Sequence, residues 1–206
     1  MKPIPPQEYL AQPLRVHSFL SGVPLHDVWA VDLPCAQKGI TLQEFFRRTS
    51  GKGTPRQISW PARALFGLRI FLGRIFGWDK KEHGAGRPSF AERLSEEDGK
   101  RSEVPAGTVE GFFRVVYSFE NEALRETANS TVHAAVLHAL VPKALGYRFY
   151  FGVYVRKVSW FTPVYMALIG PFRRWVVYPA IFRQFAQSWD RAFGDSRTMT
   201  GEIKER

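Results

Sequence analysis

The sequence predicts an α+β domain in which an antiparallel sheet packs on one long C-terminal helix. Three observations carry this. Apolar residues alternate over 113–119 and again over 147–158, the period of a strand with one buried face. The strand-like runs follow one another with only short links such as Glu120-Asn121 and Asn129-Ser130 between them, which suits an antiparallel meander. After Thr162-Pro163 the period changes: Tyr165, Leu168, Phe172, Trp175, Pro179, Phe182, Ala186 and Trp189 step by three and four, as on one face of a helix.

The elements can be justified in order. Residues 1–25 carry Pro3, Pro5, Pro6, Pro13 and Pro24, a spacing that interrupts helices and predicts an extended lead-in. A single domain is then expected over 26–193. Its first strand is 26–33, where Trp29, Val31 and Leu33 alternate with Ala30 and Asp32 before Pro34 ends the run. Thr41 with Glu44 three positions on has capping-box spacing for a helix over 42–49. Residues 60–77 look helical, weakened by Gly67 and Gly73. The polar stretch 79–107, with Gly84, Gly86 and Gly99, reads as a long mobile loop.

Strands are expected at 113–119, 122–128, 131–140 and 147–158. In the last, Tyr147, Phe149, Phe151, Val153 and Val155 share one face, and Arg148, Tyr150, Tyr154 and Arg156 the other. Gly170-Pro171 and Pro179 argue for a kinked helix lying on the sheet instead of a straight coiled-coil rod. The polar tail 194–206 reads as disordered.

Composition sets the bounds on function. At 206 residues, with 45% apolar and 23% charged side chains, the chain suits one ordinary globular core. Aromatic residues reach 15% and the net charge is +10. A lone Cys35 makes no internal disulfide, and the proline-rich start carries no apolar secretion signal; a cytoplasmic location is expected. The apolar segments 60–78 and 161–189 carry arginines through their middles and do not read as membrane spans.

Several strings go beyond pattern. LSEEDGKRSEVPAGT, FRVVYSFENEAL, NSTVHAAVLHAL, GYRFYFGVYV and FTPVYMALIGPFRRWVVYPA resemble a family of uncharacterised bacterial proteins, a domain of unknown function within the START-like, polyketide-cyclase-like (SRPBCC) superfamily. The resemblance covers about 25–190 and is strongest after position 90. It implies the helix-grip fold: a curved antiparallel sheet wrapped around the long C-terminal helix, with a short helical pair after the first strand. It also implies a cavity that in relatives holds an apolar or aromatic ligand. It supplies no catalytic residue to transfer.

No chemical motif completes itself. TSGKGT at 49–54 has Gly53 where a phosphate loop needs Ser or Thr. Gly84-Ala85-Gly86 follows no apolar strand, so it is no dinucleotide fingerprint. His133 and His138, five apart on one expected strand, point to opposite faces and do not share a metal. Asn129-Ser130-Thr131, without a secretion signal, reads as a turn. No catalytic residue, cofactor or metal is therefore expected. The basic doublets, Arg47-Arg48 through Arg173-Arg174, are scattered, which argues against nucleic acid. The 60–81 segment mixes Trp60, Phe71, Phe76 and Trp78 with Arg69, Arg74, Lys80 and Lys81 and is a candidate for weak membrane-surface contact.

The leading reading is a protein that binds a small hydrophobic or amphipathic molecule in an internal cavity without chemistry. Tyr117, His133, Phe149, Phe151, Tyr165 and Phe172 are the candidate lining residues, with Tyr150, Arg148 or Arg173 able to orient a polar end. Parity keeps some of these from sharing one cavity. One alternative is an enzyme of the cyclase or aromatase type, with His133 or a Tyr as acid/base and an Arg stabilising an enolate. Another is a peripheral membrane or partner-binding protein.

Overall fold

A computed structural model describes residues 2–49, 88–128, 132–158, 160 and 162–194. The expected helix over 60–77, the 60–81 membrane candidate, the 129–131 turn and the tail after 194 lie outside the described residues, as does the Tyr165 side chain. The strands are β1 (Lys2–Pro3), β2 (Leu25–Leu33), β3 (Val109–Glu110), β4 (Phe113–Ser118), β5 (Glu122–Ala128), β6 (His133–Lys143) and β7 (Gly146–Arg156). They form one antiparallel sheet in the order β1-β2-β7-β6-β5-β4-β3. β4 to β7 are the expected meander. The first long strand, β2, closes against the last, β7, pairing Trp29 with Phe151 and Leu33 with Tyr147.

Both faces of this sheet are covered. On the front lie α3 (Leu42–Thr49) and a continuous 32-residue C-terminal helix: α5 (Thr162–Phe172), a π turn (Arg173–Val177) and α6 (Tyr178–Phe193). Trp29, Phe149, Phe151, Tyr178, Phe182 and Trp189 are buried in this layer. The rings interleave closely: Phe149 stacks on Phe185 at 3.9 Å, and Phe151 meets Tyr178 and Phe182 edge-on at 5.5 and 5.7 Å. Such offset and edge-to-face contacts are the favourable arrangements for aromatic quadrupoles. Thr41 caps α3 as its spacing predicts, its Oγ1 accepting from Glu44 N–H at 3.0 Å. The Glu44 carboxylate turns instead to Arg47 and Arg48, at 2.6 and 2.5 Å.

The buried stripe of the C-terminal helix differs from the expected one. It runs Met166, Arg173, Val177, Tyr178, Phe182, Trp189 and Phe193, while Leu168 and Trp175 face outward. Counting back from Phe182 in steps of three and four leads to Trp175 and Leu168. The π turn adds one residue, so that Val177 and Tyr178 are both buried and the inward positions upstream of it are shifted by one.

The back face corrects the expectation of an extended lead-in. Pro6 opens a one-turn helix, α1 (Pro6–Leu10), and α2 (Arg15–Phe19) follows; proline at the first helical turn loses no hydrogen bond, so these helices fit between the prolines. Tyr9, Val16, Phe19 and Leu20 are buried against Tyr117, Leu124, Leu137 and Tyr150. The 79–107 segment is also ordered over its described part. A 3-10 turn (Phe90–Arg93) with a Ser89–Glu92 capping box and α4 (Glu96–Arg101), capped by Ser95, pack there, with Phe90 fully buried. Single-turn elements with local caps leave no periodicity to detect.

Two buried glutamates on β5, four residues apart and so on one face, hold this layer. Glu122 accepts from the N–H groups of Arg15 and Val16, both at 2.8 Å, and from the Tyr117 hydroxyl at 2.5 Å. Glu126 accepts from Phe90 N–H at 2.9 Å and from the Ser89 hydroxyl, and contacts His133 Nε2 at 2.8 Å. Each carboxylate thus satisfies the free N–H groups that open a short helix. Burial keeps the Glu122 pKa raised despite its bonds. For Glu126 burial also pushes upward, but the bonds from His133, Ser89 and Phe90 outweigh it and the net shift is downward. At the β6–β7 turn, Gly146 has φ +115°, and a Cβ there would lie 2.4 Å from the Leu33 carbonyl oxygen; only glycine fits.

On the front face His138 sits among Phe46, Phe149 and Phe151. Burial, and then the charge of Arg125, push its pKa from 6.5 down to about 3. Between those values the unfolded chain takes up a proton that the folded chain refuses. Stability is therefore full above pH 6.5 and falls as pH drops, by up to about 1.4 kcal/mol per pH unit. Burial holds His17 and His26 low in the same sense, so His138→Leu should remove part of the slope of urea-unfolding free energy between about pH 6.5 and 5. An unchanged slope would show that His138 is protonated in the folded state.

Candidate functional site

Two backbone irregularities meet at one end of the front layer. The β2–β7 register shifts between Leu25 and Asp27, leaving His26 as the extra residue of a β-bulge. Opposite it, the C-terminal helix widens into the π turn Arg173–Val177. Bulges re-aim side chains and π turns offset a helix by one residue; both recur at functional sites.

Their meeting point is Asp27, which is buried. Its Oδ2 accepts from Arg173 Nη2 and from the Tyr178 hydroxyl at 3.2 Å, and its Oδ1 accepts from Arg174 Nη2 at 3.0 Å. His26 Nε2 lies 3.9 Å from Oδ2. Successive residues on a straight helix point about 100° apart; inside the wider π turn each residue rotates less, and Arg173 and Arg174 both reach one carboxylate. Arg173 is buried and its Nε has no hydrogen-bond partner, whereas the Arg174 side chain is 57% exposed. Burial, and then the adjacent Arg173, hold the His26 pKa below 6.5, so its imidazole is neutral at pH 7. Burial raises the Tyr178 pKa well above the ordinary phenol value, so it stays a hydrogen-bond donor.

A cleft of about 540 Å³ opens beside this cluster. Its apolar walls include Val155, Met166 and Trp175, and its polar rim His26, Lys157 and Arg174. Among the described residues, three cations, Lys157, Arg173 and Arg174, stand against one carboxylate, Asp27, a surplus of positive charge. A concave apolar wall with a few convergent polar groups is the usual build of a small-molecule site.

The sequence-predicted lining residues do not converge on this cleft. Tyr117 and His133 belong to the back layer, bonded to Glu122 and Glu126, with His133 stacked on Phe90 at 4.1 Å. Phe149 and Phe151 lie on the front, inside the ring stack. Phe172 is half-buried one residue before the π turn, outside the cleft wall. Arg148 ties β7 to the back layer through Glu8 at 2.9 Å and Asp32 at 3.3 Å. Of the described polar candidates, Arg173 is the one placed at the cleft. His26, Asp27, Lys157 and Arg174 went unrecognised. A signal was present: a basic doublet, Arg173-Arg174, directly after the apolar first half of the helix.

The chain belongs to the family described as protein of unknown function DUF2867, which matches residues 19–180. No curated protein matches it. The matched span includes every residue of the cleft and both buried glutamates of β5, while α1 and most of α2 precede it.

The unequal burial of the two arginines sets a test. Asp27→Asn strands the Arg173 guanidinium without a counter-charge and should cost about 3–5 kcal/mol in urea unfolding. Arg174→Ala removes an exposed partner and should cost under ~1 kcal/mol. Equal costs would contradict this division of the cluster.

Proposed function

We propose that the protein binds a small amphipathic molecule in this cleft, with its apolar body against Val155, Met166 and Trp175 and its anionic end toward Arg174 and Lys157. The observation that carries the reading is the convergence of the β-bulge and the π turn on Asp27. That network fixes the cationic rim before any ligand arrives, which lowers the ordering cost of binding. The neutral His26 imidazole adds a hydrogen-bonding group on the same rim.

We assign the domain to the helix-grip architecture of the START-like (SRPBCC) superfamily. The closure of β2 on β7, the meander β4 to β7 and the long helix across the front support that assignment. Binding without chemistry is preferred to a cyclase or aromatase role. Of the acid/base candidates for such a reaction, His133 or a Tyr, the histidine is occupied by Glu126 and Phe90 on the face away from the cleft.

Isothermal titration with decanoate and with decanol separates the parts of this reading. Decanoate should bind, decanol should bind more weakly, and Arg174→Ala should reduce decanoate affinity roughly tenfold, the loss of one charge-assisted contact. Absence of decanoate binding, or equal affinity in Arg174→Ala, would overturn the assignment.

A further inference from the structure

The two halves of the C-terminal helix present opposite kinds of surface to solvent. The exposed residues of α6 include Arg183, Gln187, Asp190 and Arg191, an ordinary solvated face. On α5 the outward stripe is Val164, Leu168 and, one π turn on, Trp175, exposed by 50%, 64% and 79%. Positions 164 and 168 are spaced by four, so they share a helix face, and Trp175 continues the exposed apolar surface inside the π turn. Trp160, just before the helix, is 79% exposed. Pro163, Ala167 and Pro171 are also exposed on α5. Scattered apolar residues on a surface need no explanation, but a contiguous stripe does.

The sequence around this stripe carries charge of one sign, and Asp27 is the carboxylate that meets its arginines. Residues 127–189 contain no Asp or Glu and seven Lys or Arg: Lys143, Arg148, Arg156, Lys157, Arg173, Arg174 and Arg183. Lys157 and Arg174 share the cleft wall with Trp175 and are exposed. The apolar stripe is therefore continuous with a cationic rim.

We infer that the outer face of α5 docks on an anionic phospholipid bilayer. Val164 and Leu168 enter the acyl boundary, Trp175 lies at headgroup depth where its amphipathic ring is favoured, and Lys157 and Arg174 meet lipid phosphates. A nucleic-acid backbone matches the cations but leaves Val164 and Leu168 without a partner. A neutral apolar surface matches the stripe and strands the cations. No described helix is long and apolar enough to cross a membrane, so the contact is peripheral. Docking shares Trp175, Lys157 and Arg174 with the cleft, while Val164 and Leu168 do not line it and so separate the two readings.

Vesicle flotation tests this directly. The full chain should float with phosphatidylcholine vesicles containing phosphatidylglycerol and roughly tenfold less with phosphatidylcholine alone, the effect of losing the charge attraction. Leu168→Glu should lose flotation by a similar factor while still binding decanoate, which shows that it is folded and keeps the two readings separate. Leu145→Glu changes a side chain that is 89% exposed in the turn at the other end of β7 and should float as the unaltered protein does. No flotation with the anionic vesicles, or undiminished flotation of Leu168→Glu, would overturn the inference. A concentration-dependent dimer in sedimentation that Leu168→Glu abolishes would assign the face to a second copy and overturn it equally.

Discussion

Asp27, a buried carboxylate at the start of the first long strand, ties the sheet to the C-terminal helix where both backbones leave regular geometry. Three donors from the helix, Arg173, Arg174 and Tyr178, converge on it. The register of the helix follows from this contact: Arg173 must point at the sheet, and Val177 and Tyr178 after it are both buried, so the inward face moves one residue along the chain. The outward turning of Trp175 and Leu168 is the other side of the same offset. Cleft, cationic rim and apolar outer face are thus consequences of one anchored turn.

A buried ion pair is weak evidence of stabilisation, since desolvation offsets most of its Coulomb attraction. The ring stack already joins helix to sheet, through Trp29 with Tyr178, Phe149 with Phe185, and Phe151 with Phe182. The polar cluster contributes what the rings do not: it fixes guanidinium groups at the edge of a concave apolar wall. The two β5 glutamates are arranged differently. They accept from the N–H groups that open short helices and pin the back layer to the sheet, so the front layer can carry an irregular helix without loss of the whole.

Much of the fold was legible in the sequence because it rests on periods. Alternation at 147–158 assigns faces that the structure keeps: Phe149 and Phe151 lie in the front cluster and Tyr150 and Tyr154 in the back one; at 113–119 a β-bulge between Val115 and Tyr117 breaks the expected alternation. The back layer was not legible, because α1, α2 and the Phe90 turn are too short for a period and their anchors, Glu122 and Glu126, lie far away in sequence. The cleft was hidden for a related reason. A β-bulge and a π turn each displace the pattern by one residue, so parity points the observer to Tyr117, His133 and Phe149, and away from His26, Asp27 and Arg174. Site residues stand where local pattern and global fold disagree.

The central claim is that the Asp27 cluster exists to build the cleft and not to hold the fold. Replacing its buried members together, Asp27→Leu with Arg173→Met and Tyr178→Phe, removes the charges without stranding any of them. Paired urea unfolding and decanoate titration of this variant give the most direct test. The account predicts an unfolding free energy within about 1 kcal/mol of the unaltered protein, or above it, together with loss of decanoate binding. A variant that binds decanoate as before would contradict it.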